Sequence, residues 1–600
     1  MTLQETLFQP SSEWTPPDKF PNLSGEKIIG LDTETFDPNL MEMGPGGARN
    51  DGQVVGVSLA TERGDKWYFP IRHLGGGNMD IDKVKQFLSD QLSSFIPKVG
   101  ANIIYDLEWL QHEGIKVQGP FYDVQIAEPL LNENKKSYSL ENLSLDYLNR
   151  GKEEGKLVDA AKSFGLDPKK ELWKLPAKFV GPYAEEDAFL PIRIWKLQQE
   201  KIIKKDLQEI QKLEHDLIPV LLDMRFKGVR IDEDRTAQLN DELLKEEFKL
   251  AKELRKEAGF NINPWSNKHC MKAMDEHNIS YGLTEKGNAS FSGEWLKNHE
   301  HSLPQKISAF RRTNKMRRDF VEGCIMKYNF NGRIHGQFHQ LRKDSFGTRS
   351  GRFSSSNPNL QQIPARDPYW GALIRGLYIP DEGCKWGRFD YSQQEPRVLL
   401  HYAEELGLPG AFEAGTAYRE KPETDYHSLT QKEINKHGTS IDRFQAKTLN
   451  LGMAYRMARE KLAMLLNVKV SLAGEILEAY HESKPYVAKL AESCEKRART
   501  KGYIKTLLGR HRHYGPGTNP YQAGNGLIQG SSADITKRAM LDCYSAGYTA
   551  HIQVHDELDF SLDKPKKQVK EITEIMNNCV KMNVPLMTDA IIGDNWGECK

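Results

Sequence analysis

A multidomain chain, joining a small α/β unit to a larger α+β unit, is the fold class the sequence predicts, on three observations. Its 600 residues are about four times the usual ~150-residue domain. Apolar residues make up 38% and charged residues 28%, which can fill large cores and is unlike a disordered chain. KIIGLDTET, QVVGVSLA and KWYFPI read as strands ahead of a helical stretch, whereas three-and-four periodicities mark long helices from residue 206 onward. Charge divides the same way: residues 1–200 hold 22 Lys and Arg against 31 Asp and Glu, leaving 61 against 52 for residues 201–600. An acidic module joined to a basic one able to hold a polyanion fits that division. No stretch approaches the ~20 apolar residues of a membrane span. MTLQETLFQP lacks the basic start and apolar run of a secretory signal. The seven cysteines form no CxxC pair, which argues against a zinc ribbon or a disulfide framework. A soluble, cytoplasmic chain is expected.

The elements follow in order. WTPPDKFPN is a loose arm, TERGD is the turn between the second and third strands, and DKVKQFLSDQL is a helix. GGGN at 75–78 lacks the lysine of a phosphate loop and reads as a turn. Leu207, Ile210, Leu213, Leu217, Val220 and Met224 line one helix face; Leu239, Leu243, Leu244, Phe248, Ala251 and Leu254 line another. Both helices are charged on the opposite side, and a domain boundary falls near 200–215 in what reads as continuous helix. WGRFDYSQQEPRVLLHYA is a strand up to Asp390, then a turn into a helix. HIQVHDELDFSL is a hairpin with its tip at His555, Asp556 and Glu557.

Asp32 and Glu34 stand two apart at a strand end, so both carboxylates leave one face and repel unless a cation lies between them. Asp106 lies in a helix-forming segment, and Tyr183 and Asp187 share a helix face at i,i+4. Four carboxylates could hold two metals, one activating a water and one stabilising the leaving oxygen, with Tyr183 orienting the water. DTET, NIIYD and YAEED, in this order, resemble the three motifs of the DEDDy 3′–5′ exonucleases. That resemblance implies a ribonuclease-H-like fold, two-metal hydrolysis of single-stranded DNA 3′ ends, and Asp32, Glu34, Asp106, Asp187 and Tyr183 as its catalytic set.

Asp390 and Asp556 lie 166 residues apart and can meet only by strand pairing. Between them Arg443, Lys447, Leu451 and Tyr455 form a slowly drifting helical stripe: two cations for triphosphate oxygens, then an apolar and an aromatic residue for sugar and base. DYSQQEPR, RFQAKTLNLGMAYR and VHDE resemble motifs A, B and C of family A DNA polymerases. SGRFSSSNPNLQQIP (350–364), IRGLYIP (374–380), GYIKTLLGRHR (502–512) and NGLIQGSSADITKRAM (525–540) extend the match. By that resemblance Asp390, Asp556 and the Tyr391 carbonyl bind two Mg²⁺ or Mn²⁺ ions, with Glu557 nearby in the catalytic set. Arg443, Lys447 and His427 take phosphates, and Lys447 also protonates pyrophosphate. Tyr455 packs by the incoming base, Gln393 lies in the pocket wall, and Glu395 is the steric gate against ribonucleotides. Arg311, Lys315, Arg352, Arg366, Asn525, Gln529 and His555 grip the duplex, largely through phosphates and the minor groove.

The sequence departs from the family pattern at Gln394 and Pro396, at Arg456 where glycine is usual, at Tyr521 where arginine is common, and at Leu451, normally Phe or Tyr. These bear on the start of the helix after Asp390 and on the primer grip. The resemblance implies a right hand: exonuclease domain 1–205, thumb and connection 206–345, palm 346–425 and 513–600, and fingers 426–512. No 5′-nuclease domain is expected ahead of the first strand. A proofreading polymerase of replication or repair is expected, a monomer acting on primer–template DNA and dNTPs. No thioredoxin-type processivity factor is expected, because residues 229–320 show no additional module. The compact form points to a phage source, hence the bacterial host cytoplasm. The alternative is mainly a 3′–5′ exonuclease with weak polymerase activity. A single-subunit RNA polymerase is opposed by Glu395 and the proofreading module.

Overall fold

The computed structural model describes residues 11–152, 154–284, 286–341, 348–365, 367–454 and 456–599. The N-terminal unit is a five-stranded sheet in the order Lys66–Pro70, Gln53–Thr61, Ile29–Phe36, Lys98–Gly100, Phe121–Asp123. The first three strands pair antiparallel and the last two join in parallel. Along the Ile29–Phe36 strand Ile29, Leu31 and Thr33 are buried, while Asp32 and Glu34 emerge half-buried on the other side, as period two requires. The Ala177–Lys204 helix packs on this sheet. Gly30 permits the approach: a Cβ there would lie 2.0 Å from the Ala188 carbonyl oxygen. Gly30 shares its strand face with Asp32, so the same close contact brings Asp187 into the neighbourhood of Asp32.

The helix expected to run on through the boundary is broken. Asp206 has φ +55°, in the left-handed region, and a separate helix, Gln208–Lys227, begins two residues later. All six apolar positions of its expected stripe are buried, each contributing roughly 1.5–3 kcal/mol. The opposite side, read as charged, is largely buried too. Ile218 and Leu222 join the core of the N-terminal unit, and Glu214, His215 and Arg225 are buried as well. One helix thus belongs to both cores. The second long helix, Glu233–Ala258, also shifts from expectation. Phe248 is 69% exposed and Ala251 lies on the surface, because the buried stripe runs through Leu243, Glu247, Leu250 and Leu254. Glu247 belongs in it because Arg317 (2.7 Å) and Asn314 (3.1 Å) donate to its carboxylate. The residues beyond this helix form a small core with Leu254 from its last turns, including Met274, Phe291 and Ile307.

The C-terminal unit is built on a four-stranded antiparallel sheet in the order Ile552–Val554, Glu557–Leu562, Lys385–Tyr391, Thr588–Gly593. The hairpin tip is His555 and Asp556, with His555 at φ +57°. Glu557 already starts the returning strand rather than sitting in the tip. The Gln394–Glu405 helix follows Asp390 through Gln393 at φ +54°. Pro396 is its third residue, within the first turn, where no backbone N–H is needed. Gln394 is buried and donates to the Thr536 hydroxyl at 3.3 Å. These two departures therefore leave the helix start intact. Seven cysteines are free thiols, and among the described residues no helix is long and apolar enough to cross a membrane.

Candidate active sites

The first centre gathers acids from three elements. Asp32 and Glu34 come from the Ile29–Phe36 strand, Asp106 from the Ile103–His112 helix, and Tyr183 and Asp187 from the Ala177–Lys204 helix. Asp106 is buried, and its Oδ1 accepts both the Thr33 N–H (2.9 Å) and the Thr33 hydroxyl (2.7 Å), which ties the helix to the strand between the two acids. Burial, then the charges of Asp106, Asp187 and Glu34, hold Asp32 well above the ordinary aspartate range. Burial and the Asp187 charge push Glu34 to about 8. Burial pushes Asp106 to about 8 against the Thr33 bonds. Negative charge is in excess: four carboxylates in one partly desolvated cleft cannot all ionise beside a single ammonium unless a further cation joins them. Asp187 Oδ1 is buried with no hydrogen-bond partner. The donor set therefore suits a divalent cation, although among the described residues no three acids, histidines or cysteines form a ready-made metal cage. Lys152 stands among the acids instead, with its ammonium on Asp187 Oδ2 and 3.0 Å from the Tyr183 hydroxyl. Sequence reasoning missed Lys152 and Thr33. Neither carries a spacing signal, since Lys152 reaches Asp187 from 35 residues away.

The second centre arises from strand pairing. Asp390 lies opposite Glu557 on one side and Asp589 on the other, and the Tyr391 N–H donates to the Asp556 carbonyl at 3.3 Å. Asp390 and Asp556 thus meet across 166 residues, as expected. Burial, then the Asp390 charge, raises Asp556 to about 7. Burial raises Asp390 to about 6 against the attraction of Arg388. Two residues with no place in the sequence reading shape this corner. Arg388 donates through Nε to Glu557 (2.7 Å) and through Nη2 to Asp390 (2.7 Å), and the Trp596 indole N–H donates to Glu557 at 3.0 Å. Glu557, named above among the catalytic residues, is buried and fully engaged by Arg388, Arg375 and Trp596. It anchors the corner and is not a free acid in the cleft. Glu395 is half-buried and bonded to Arg352 at 2.6 Å.

The Arg443–Ala454 helix buries Ala446, Leu449, Asn450 and Met453, so Arg443, Lys447 and Leu451 lie on its exposed side. Leu451 is 46% exposed, so it is not a core residue of this helix. Arg443 pairs with Asp425 at 2.6 Å. His427 is buried, and burial lowers its pKa to about 4, so it offers a neutral imidazole and not a cation. Gln393 Oε1 accepts the Tyr426 N–H (2.8 Å) and the Tyr418 hydroxyl (3.1 Å), which links the Asp390 turn to the next helices. Tyr455 and Arg366 lie outside the described residues.

Among the residues expected at the duplex, Arg311 is engaged within the protein. Its Nε donates to the Pro264 carbonyl (2.7 Å) and its Nη1 to the Phe291 carbonyl (3.2 Å), so the guanidinium braces the small separate core. Lys315 is exposed beside Asp319 (2.8 Å). Asn525 and Gln529 are half-buried on the Ala523–Ser545 helix, and His555 is exposed at the hairpin tip. Two departures from the family pattern turn out to be neighbours. The Arg456 guanidinium lies 4.3 Å from the Tyr521 ring centroid, and the Tyr521 hydroxyl donates to the Arg456 carbonyl at 3.0 Å. Arg456 holds φ +51°, a conformation that favours glycine, and Glu495 pairs with its guanidinium. A guanidinium thus stands beside position 521, paired with Glu495.

The structure thus offers two separate acid clusters, one on each of two sheets that share no strand. The chain belongs to DNA polymerase family A: that family's model matches residues 233–598, and the model of the 3′–5′ exonuclease matches residues 18–203. It is 36% identical to a DNA-directed DNA polymerase of Pseudomonas phage M6, over 99% of this chain and 98% of that one. It is 28% identical to DNA polymerase DpoZ of Salmonella phage PMBT28, over 96% and 98%. Its fold is similar to the POL domain of Pol1 from M. smegmatis in complex with DNA primer-template and dNTP. The TM-score is 0.78 at 22% identity, covering 96% of this chain and 97% of that one. Family A polymerase and exonuclease domains generally use divalent metal ions.

Proposed function

We propose that the chain adds dNTPs to a primer 3′-OH on a DNA template at the Asp390–Asp556 centre. Its Asp32–Asp187 centre removes nucleotides from single-stranded 3′ ends. The strand register that sets Asp390 beside the Asp556 hairpin tip carries this reading, supported by the outward row of Arg443, Lys447 and Leu451. Asp390, Asp556 and the Tyr391 carbonyl would hold Mg²⁺ or Mn²⁺ in one centre, and Asp32, Glu34, Asp106 and Asp187 in the other. Bound there, such cations lower the pKa of the attacking hydroxyl or water and balance charge on the leaving oxygen. Arg443 and Lys447 bind triphosphate oxygens, Lys447 delivers a proton to departing pyrophosphate, and His427 donates one neutral N–H. Tyr455 packs by the base. Arg352, Arg366, Lys315, Asn525, Gln529 and His555 hold the duplex. The domains are the exonuclease at 1–205, thumb at 206–345, palm at 346–425 and 513–600, and fingers at 426–512. The enzyme acts as a monomer without a thioredoxin-type factor. The test is single-nucleotide addition: only the dNTP complementary to the templating base should be incorporated, and chelating divalent cations should stop it. Indiscriminate addition would contradict the reading.

Two side chains set sugar choice. Glu395, braced by Arg352, crowds the C2′ position, where a 2′-OH would clash or lie unpaired. Glu395→Ala should lower discrimination against ribonucleotides by about 10–100-fold, measured as the ratio of kcat/KM for a dNTP and its ribonucleotide. An unchanged ratio would move the gate elsewhere. Leu451, one four-residue step beyond Lys447, approaches the same sugar and offers no polar group. The enzyme should therefore reject dideoxynucleotides strongly. Leu451→Tyr adds a hydroxyl that replaces the lost 3′-OH contact, a hydrogen bond of about 1–3 kcal/mol, so chain termination should rise roughly ten- to a hundredfold while ordinary extension survives. Unchanged dideoxy sensitivity in an active Tyr variant would remove Leu451 from the sugar site.

A further inference from the structure

Lys152 is the one cation that the described structure places against the first carboxylate set, and its surroundings are specific. Its side chain is only 10% exposed. The ammonium donates to Asp187 Oδ2 and to the Tyr183 hydroxyl, and it lies 4.4 Å from the centroid of the Tyr183 ring. The backbone N–H of Lys152 donates to the Glu141 carboxylate, which anchors the segment just ahead of the Gly155–Ser163 helix. A buried ammonium held this way fixes two groups at once. The ammonium donates to both the phenol oxygen and Oδ2 of Asp187, two groups that also hydrogen-bond each other, while Oδ1 of that carboxylate stays buried and unpartnered.

We propose that Lys152 is a positioning residue of the 3′–5′ nuclease. Its ammonium locks the Tyr183 hydroxyl and the Asp187 carboxylate into one arrangement, and it supplies fixed positive charge to a site that otherwise contains only acids. The proposal rests on reading Asp32, Glu34, Asp106 and Asp187 as the nuclease centre. The hydroxyl of Tyr183 then has one orientation in which to direct a water toward the terminal phosphodiester. Without Lys152, the phenol and Asp187 keep only their bond to each other and lose the cation that fixes both. The same ammonium competes with a divalent cation for Asp187, so the two effects of removing it have opposite signs.

The test uses the full chain. Lys152→Met keeps the aliphatic stem without the charge, and Lys152→Arg restores a cation able to bridge two oxygens. On single-stranded DNA, Lys152→Met should lower exonuclease kcat at least tenfold at saturating Mg²⁺ with KM within about twofold, and Lys152→Arg should recover most of it. Binding of Mn²⁺ alone, followed by electron paramagnetic resonance without DNA, should tighten at least threefold in Lys152→Met, and primer extension should be unchanged. A merely structural lysine would weaken Mn²⁺ binding together with activity, and that result would overturn the proposal. Unchanged kcat in Lys152→Met overturns it as well, while leaving the nuclease centre standing if Asp32→Ala with Glu34→Ala is inactive. If that double variant still shortens DNA, the centre itself is misassigned and the proposal falls with it.

Discussion

Asp32→Ala combined with Glu34→Ala should abolish primer shortening while leaving extension within about twofold of the unaltered enzyme. Asp556→Ala should do the reverse. The expected loss at each affected centre is about three orders of magnitude or more, because each change removes the charge that would hold the cations, a contribution of several kcal/mol to the transition state. The separation follows from construction. Asp32 and Glu34 project from a sheet whose partners all lie within residues 29–123, whereas Asp390 and Asp556 sit on a sheet formed by residues 385–391 and 552–593. No strand is shared. The acids of each centre perturb one another's pKa and none from the other centre. A labelled primer–template assayed with each variant measures both activities together. If either variant loses both activities while folded, the two-centre assignment is wrong.

Glu214→Ala should destabilise the protein by about 3–5 kcal/mol, the cost of leaving buried cations without their partner. Glu214 is fully buried on the Gln208–Lys227 helix. Its carboxylate accepts from Lys537 at 2.7 and 3.0 Å and pairs with Arg510. Arg510 in turn binds Asp534 at 2.8 Å, and Thr506 donates to Asp534 at 2.6 Å. Two acids and two bases balance in a buried cluster, and deleting one acid leaves an uncompensated positive charge. Burial alone would raise the Glu214 pKa, but Lys537 and Arg510 outweigh it and hold the group below the usual glutamate range. Its stabilising contribution is therefore fully present above the pKa of an unfolded glutamate, near 4.3, and is lost as pH falls through the lower native value. Thermal melts of the two proteins across that acid range should converge. A Glu214→Ala protein that melts within 1–2 °C of the parent at pH 7 would show that the cluster contributes little.

What the sequence disclosed and what it concealed follow one physical division. Local periodicity carried the acids: two residues apart on a strand for Asp32 and Glu34, four apart on a helix for Tyr183 and Asp187. Motif order supplied what periodicity could not, the meeting of Asp390 with Asp556. Groups whose partners arrive from elsewhere in the fold stayed hidden. Glu214 read only as part of a charged face because its partners lie 296 and 323 residues away. Arg311 read as a phosphate ligand because nothing local reveals that its guanidinium meets the carbonyls of Pro264 and Phe291. Glu557 read as catalytic beside Asp556; it lies directly opposite Asp390, where Arg388 and Trp596 engage its carboxylate. Arg456 and Tyr521 looked like separate anomalies and form a single contact.

The account's central claim is that one chain both builds and trims a primer 3′ end at separate centres. A single gel tests it most directly: a 5′-labelled primer annealed to a longer template, incubated with Mg²⁺ in the presence and absence of the four dNTPs. The predicted result is full-length extension with dNTPs and progressive shortening from the 3′ end without them. Shortening in both lanes, with no extension at saturating dNTPs, would make the molecule chiefly a nuclease and contradict the assignment of Asp390 and Asp556 as a working polymerase centre.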